Sequence, residues 1–134
     1  MNIGIPGICN SEVMASHNDT GTRGESIARK YLEGKGYKIL ETNWRYRRAE
    51  VDLIAFKDST LIFAEVKTRT GNYYGDPEEF VTFAKQGLME MAAEEYIYKS
   101  NHNDEIRFDI ISILFNKFDS YTVNHIEDAF WPGS

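Results

Sequence analysis

The stretch EVDLIAFKDSTLIFAEVK, Glu50 to Lys67, decides the fold. Two apolar runs of strand length flank the segment KDST, and Glu50, Asp52, Glu65 and Lys67 stand where a buried sheet would carry valines. With Asp58 and Ser59 as a two-residue turn, Lys57 faces Thr60, and every further cross-strand pair has numbers adding to the same 117. Asp52 then faces Glu65, and Glu50 faces Lys67. A four-residue loop keeps that parity, whereas a three-residue loop sends Asp52 and Glu65 to opposite faces.

In this register Val51, Leu53, Ala55, Ile62, Ala64 and Val66 form one apolar face. Ile54, Phe56, Leu61 and Phe63 form the inner part of the other, and the four charged residues gather at one end of it. Directly opposed Cβ atoms lie ~4.5 to 5.5 Å apart, so two carboxylates there repel unless a proton or a cation sits between them. A hard divalent cation such as Mg²⁺ suits that slot, because it takes oxygen ligands and keeps several waters for a substrate phosphate to displace. The other reading is a salt-bridged edge, with Glu50 and Lys67 neutralising each other and Asp52 bonded to a backbone amide. The alternating register, the two-sided apolar strands and the basic segment just upstream favour the metal.

That segment gives the chain its charge asymmetry. Residues 21 to 48 hold Arg23, Arg29, Lys30, Lys35, Lys38, Arg45, Arg47 and Arg48 against Glu25, Glu33 and Glu41, a local +5 inside a chain of net charge −6. The net charge argues against a protein that coats nucleic acid indiscriminately, while the local excess fits a surface that attracts phosphate at one place. At 134 residues, 42% hydrophobic and 27% charged, the chain is long enough for one domain with a real core. The single cysteine, Cys9, permits no intrachain disulfide and has no CxxC or His-rich company for a structural zinc site, which fits a reducing compartment. The apolar start MNIGIPGICN lacks a basic leader and makes a poor signal peptide, and no run approaches a membrane span, so a cytoplasmic protein with no membrane partner is expected.

Around the hairpin, residues 1–20 mix Gly, Ser, Asn and Asp without period and are expected to form a flexible arm. Thr22 and Glu25 fit a capping box for a helix over roughly 23–34, which Gly34 and Gly36 stop. YKILETNWRY reads as a strand ahead of the two quoted runs. Pro77 opens a long helix whose apolar face is Phe80, Val81, Ala84, Leu88, Met91, Ala92 and Tyr96. IRFDIISILF and YTVNHIEDAF supply two late strands, and Phe130 and Trp131 dock the C-terminus. The order is αβββαββ. His17, His102 and His125 are scattered, with no carboxylate or Cys at ligand spacing.

This arrangement resembles the PD-(D/E)xK nuclease superfamily, whose restriction-endonuclease-like core is a mixed central sheet flanked by helices in αβββαβ order. Asp52 matches its Asp, and Glu65-Val66-Lys67 matches its ExK. More narrowly, the chain is similar to the YraN family, small bacterial proteins related to archaeal Holliday junction resolvases. The matching stretches are Gly24-Glu25, GYKILETNWR, EVDLIA, FAEVKTR, YGDP, RFDIISI and HIEDAF, between about residues 21 and 130. Ala49 departs from the pattern, since the family usually has Gly before the acidic pair.

The resemblance implies a single nuclease-like domain over 21–134 that hydrolyses phosphodiesters with Mg²⁺ or Mn²⁺, on branched or otherwise structured DNA, as a homodimer. By that analogy Asp52, Glu65 and the Val66 carbonyl hold the metal, and Lys67 orients or helps deprotonate the attacking water. Glu25 resembles the helix-one acid that reaches the metal from across the sheet, and the capping box accounts for it equally well. Glu50 would partner Lys67 behind the ligands. Arg45, Arg47 and Arg48, interleaved with Trp44 and Tyr46, form either a phosphate-holding strand end or a solvated sheet edge. Arg69 and Lys85 flank the same groove, and Tyr73 and Tyr74 either stack on an unpaired base or pack their own loop. The alternative function is a nucleic-acid-binding or adaptor module that keeps the nuclease fold and cleaves nothing; an interaction protein using the second helix or the exposed aromatics is a third.

Overall fold

Turn chemistry fixes the central hairpin. In the computed structural model, described over residues 17–71, 81–118 and 120–131 with side chains from residue 20 onward, Lys57 pairs with Thr60 and the register runs unbroken to Leu53 opposite Ala64. Asp58 and Ser59 between them have φ of 51° and 65°, and positive φ at both central residues is the mark of the type I′ turn, whose twist matches that of the strands.

The elements are α1 (His17–Gly34), β1 (Lys38–Tyr46), β2 (Ala49–Lys57), β3 (Thr60–Thr70), α2 (Phe83–Ser100), β4 (Ile106–Phe115) and β5 (Tyr121–Ile126). This is the αβββαββ order of a restriction-endonuclease-like α/β fold. The strands form one mixed sheet in sequential order, β1 to β3 as an antiparallel meander, β4 parallel to β3, and β5 antiparallel to β4. A parallel pair needs a crossover, and α2 supplies it. Tyr73, Tyr74, Pro77 and Phe80 lie outside the described residues, as do residues 1–16.

Both faces of the sheet are covered, which is why its inner strands read as nearly continuous apolar runs. On one face Met89, Ala92 and Ala93 of α2 pack with Val51, Ile54, Leu61, Phe63, Phe108 and Ile110. On the other, Ala28 and Leu32 of α1 pack with Leu53, Ala55, Ile62, Ala64, Ile111 and Ile113. The anticipated docking of the C-terminal aromatics is present: Phe130 stacks on Phe108, and Trp131 meets the same ring edge-on.

Both helices differ from expectation in their starts. α1 begins at His17, so Thr22 lies inside it and the capping box with Glu25 does not form; an interior N–H already bonds the carbonyl four residues back. α2 begins at Phe83 rather than Pro77, with the Thr82 hydroxyl accepting the Lys85 N–H at 3.1 Å. Its fully buried residues are Met89, Ala92 and Ala93, a stripe rotated from the one read off Leu88 and Met91. The run GLMEMAAEEY is apolar over more than one stripe, and contact with the sheet selects among them.

Two contacts set the seat of α1. Toward the middle of the helix, Gly24 is buried, and a Cβ there would fall on Thr68 Oγ1, well inside van der Waals contact. Just past its C-terminus, Lys57 Nζ donates to the Lys35 carbonyl at 2.7 Å and lies over the Tyr37 ring.

One buried polar cluster lies on the α1 side. Asp109, fully buried on β4, accepts from Arg107 Nε and Nη2, each at 2.9 Å, and from the Asp128 N–H at 3.0 Å. His125 Nε2 lies 2.7 Å from Asp109 Oδ2, and Arg107 also donates to the Tyr37 hydroxyl at 2.8 Å. Burial alone would raise the Asp109 carboxyl, but the hydrogen bonds from His125, Arg107 and the Asp128 amide outweigh it and hold the group below its ordinary 3.8. A depressed carboxylate contributes stability that is present above its unfolded value and is lost as pH falls through the folded one. Asp109→Asn is therefore expected to cost about 3 kcal/mol in urea unfolding at pH 7, by removing the buried charge that Arg107 meets and leaving its guanidinium only Glu127 and the Tyr37 hydroxyl. The difference from native should narrow as the pH is taken below 3.8.

Candidate functional site

The hairpin register fails where the charges begin. The β2–β3 ladder ends at Leu53 and Ala64, and the β1–β2 register skips the Asn43/Asp52 position between Thr42 opposite Leu53 and Trp44 opposite Val51. Asn43 takes φ of 51° there, a left-handed conformation that Asn tolerates better than most residues. The side chains switch faces across this point. Val51 packs in the α2-side core and Leu53 in the α1-side core, so the single apolar face expected through both does not exist. Val51 instead joins Ile54 on the α2 side.

Asp52 sits at that opening. In place of a ladder bond, its Oδ2 accepts the Val66 N–H at 2.8 Å. A strand residue directs its N–H and C=O to the same edge, so the Val66 carbonyl opens on the same gap. Glu65 stands on the α2 side, opposite Ile110 in the parallel ladder, and is 3% exposed. Its Oε2 receives Lys85 Nζ at 3.0 Å and Lys67 Nζ at 3.5 Å. Among the described residues, Glu65 Oε1 is the buried side-chain oxygen left without a hydrogen-bond partner. Burial first, then the charges of Glu65 and Glu25, push the Asp52 carboxyl up to about 7, against the pull of the Val66 amide and Lys85.

Glu25 reaches the gap from the α1 side. It lines a cavity of about 170 Å³ with Thr22, Ser26, Arg29, Thr42, Asn43, Asp52 and Leu53. Asn43 Nδ2 donates to Glu25 Oε1 at 3.3 Å. With the capping role gone, Glu25 is free to serve this cavity. Asp52 thus lies between two acids, one from each side of the sheet.

The other residues singled out from sequence fall less tightly. Glu50 is opposite Arg45 on β1 and pairs with its guanidinium at 3.6 Å, so it is not the partner expected for Lys67, which turns to Glu65. Arg47 and Arg48 form the β1–β2 turn, with Arg47 at φ 58° and its guanidinium over the Tyr46 ring. Trp44 and Tyr46 stack on each other and pack toward the α2-side core, Trp44 edge-on to Tyr96, so they are structural here. Arg69 Nη1 bonds the Thr68 carbonyl at 2.9 Å. Ala49, where the family pattern has Gly, buries its methyl in the α2-side core and pairs with Tyr46. The sequence reading did not single out Asn43. Its signal was a turn-forming Asn inside a strand, opposite an Asp.

The donor set fits a hard ion. Among the described residues no three His, Cys, Asp or Glu side chains converge, and Mg²⁺ needs no such cage. It is held by one or two carboxylates, with carbonyl, water and substrate oxygens completing the shell. Asp52, Glu65 and the Val66 carbonyl are such donors, and the unpartnered Glu65 oxygen is the place where a cation would relieve an unmet demand.

Residues 24–113 match the model of the uncharacterised protein family UPF0102. The chain belongs to this family. The UPF0102 protein of Flavobacterium psychrophilum is 44% identical over 118 residues, spanning 88% of this chain and 98% of its own. Those of Christiangramia forsetii and Rhodococcus opacus are 45% and 42% identical over 118 residues, spanning 88% and 87% of this chain and 98% and 100% of their own. The UPF0102 match runs from Gly24 in α1 into β4, and so contains Glu25, Asn43, Asp52, Glu65, Lys67 and Lys85.

Two outcomes follow from this geometry. A carboxyl raised by the fold destabilises it once ionised, fully above the folded value and not at all below the unfolded one. Asp52→Asn, whose amide oxygen still accepts the Val66 N–H, is therefore expected to be more stable than native by on the order of 2 kcal/mol at pH 8, with the gain vanishing near pH 4 in thermal melts. Gly24→Ala should cost about 1–3 kcal/mol by forcing α1 off Thr68. Adding Thr68→Ala should recover part of that loss in a double-mutant cycle.

Proposed function

We propose that this protein is a metal-dependent nuclease that hydrolyses phosphodiester bonds, with DNA as its substrate and Mg²⁺ or Mn²⁺ as its cofactor. The observation that carries the reading is the buried, unpartnered Glu65 Oε1 beside Asp52, at the point where two strands part. A fold without a use for that place would fill it with apolar side chains, as it does one residue pair further along, at Leu53 and Ala64.

Asp52, Glu65 and the Val66 carbonyl hold the cation, with Glu25 adding a charge from the α1 side. When bound, the ion supplies Lewis-acid stabilisation of the charge that develops on the phosphoryl oxygens. Lys67, on the same strand face as Glu65 and two residues away, orients the attacking water or, as the neutral amine, helps to deprotonate it. The water oxygen bonds phosphorus, the ester P–O bond breaks, and the departing oxygen takes up a proton. Arg45, Arg47 and Arg48 lie at the same end of the sheet as Asp52 and hold phosphates of the backbone, with Arg69 on β3 beside them. The packing of Trp44 and Tyr46 against the core leaves the arginines as the groups of this edge that would meet the nucleic acid. Branched or structured DNA, cut by a homodimer, is the substrate class that the family resemblance suggests.

Calorimetric titration with Mg²⁺ and Mn²⁺ of the native protein and of Glu65→Ala tests the ligand assignment. Binding should be lost or weakened at least about tenfold in the variant, and equal binding by the two proteins removes the reading. Metal-dependent cleavage of duplex or branched DNA should fall by about a hundredfold or more in Lys67→Ala. Metal and DNA binding with no cleavage under any condition would assign the protein to the non-catalytic alternative.

A further inference from the structure

Glu65 is held by two ammonium groups that differ in how they are built. Lys67 comes from the same strand, two residues on, and its side chain is 18% exposed at 3.5 Å from Oε2. Lys85 comes from the first turn of α2, with a side chain 38% exposed, and makes the shorter contact at 3.0 Å. Burial pulls the Lys85 ammonium down in pKa, but the carboxylates of Glu65, Asp52 and Glu50 together outweigh it and raise it. Lys85 thus lies in the field of the two acids assigned as ligands, on a flexible stem anchored in a different element.

We propose that Lys85 is a displaceable counter-cation: it neutralises Glu65 in the metal-free protein and leaves the carboxylate when a divalent cation enters. The proposal rests on the reading of Asp52 and Glu65 as metal ligands. In the metal-free state a buried carboxylate needs a nearby positive charge, and Lys85 supplies one without closing the site, since its stem can swing toward solvent. A dication binding the open Oε1 repels the ammonium held at Oε2 of the same carboxylate, so the two cannot share Glu65 on equal terms. Released, Lys85 stands at the mouth of the site with its charge unspent and can take a phosphodiester oxygen of the substrate. Metal and nucleic acid are then coupled through one side chain, each favouring the state in which Lys85 has left Glu65. Lys67 does not share this role, because the strand fixes its stem beside Glu65 whether or not a metal is present.

The test is Mg²⁺ titration by calorimetry at fixed ionic strength on the native protein, Lys85→Met, Glu65→Gln and Lys99→Met. Removing a partly exposed ion pair as competitor should make Lys85→Met bind roughly three- to tenfold tighter than native. Lys99, paired with Glu95 at the far end of α2, controls for net charge, and its variant should bind as native does. Unchanged or weaker binding by Lys85→Met, or equal tightening by Lys99→Met, overturns the exchange; provided Glu65→Gln is defective, the ligand assignment survives. Equal binding by Glu65→Gln and native, or binding by none, overturns both. On the native chain, the ¹⁵Nζ resonance of Lys85, assigned by its loss in Lys85→Met, should shift on Mg²⁺ saturation, and a resonance that stays put while the metal binds overturns the proposal.

Discussion

The hydrogen bond from the Val66 amide to Asp52 is the constraint on which the site depends. Two strands cannot separate inside a covered sheet without stranding backbone groups, and each stranded group costs about 1–3 kcal/mol. By accepting the Val66 N–H at 2.8 Å, Asp52 lets β2 and β3 part after Leu53 and Ala64 without leaving that amide empty. The parting makes room for the Val66 carbonyl, the Glu65 carboxylate and two lysines to face one space. It also ties the position of Asp52 to β3 rather than to its own strand, so its distance from Glu65 is set by a single bond.

The sheet carries buried carboxylates treated in opposite ways. Asp109 is met by the Arg107 guanidinium, His125 and the Asp128 amide, and the segment that supplies that amide is fastened again by Ala129 bonding the Phe108 carbonyl. Nothing more could usefully bind Asp109. Around Asp52 and Glu65 the donors fall short of the acceptors, and burial with the neighbouring acids pushes the Asp52 carboxyl well above the usual carboxylate range. Natural sequences tolerate such a deficit where something other than folding requires it, and they compensate elsewhere. The Asp109 cluster, which fastens β5 and the C-terminal turn to the same sheet, is one such compensation.

The fold was legible in the sequence because its inner strands, β2, β3 and β4, are long, buried on both faces and mostly apolar. The limits of β4 could be read from IRFDIISILF, and the parity of the central hairpin followed from alternation alone, although Asp-Ser is a weak turn signal. The failures share a cause. Alternation assumes that a strand keeps its faces, and Val51 and Leu53 do not, because Asn43 takes a left-handed turn opposite Asp52. Thr22 and Glu25 have the spacing of a cap, but the residues before them are helical too, and composition rich in Gly, Ser and Asn concealed that. The Asp109 cluster joins β4, β5 and the start of β1, so no local pattern announces it beyond one Asp in an apolar run. Lys85 was visible as a charge near a groove; that it meets Glu65 depends on how α2 rotates against the sheet.

α1 is seated by the close approach of Gly24 to Thr68 near its middle and by Lys57 on the Lys35 carbonyl at its far end. A rod pinned at two points can neither slide along its axis nor roll, so the span between Glu25 and Asp52 behaves as a fixed gauge rather than an adjustable jaw. The pin at the far end belongs to Lys57, the residue that opens the Asp58–Ser59 hairpin, five strand positions from Asp52 along β2. The calibre of the cavity is therefore held in part by a turn on the opposite rim of the molecule, and loosening that turn would blur the gauge without touching a single acidic residue.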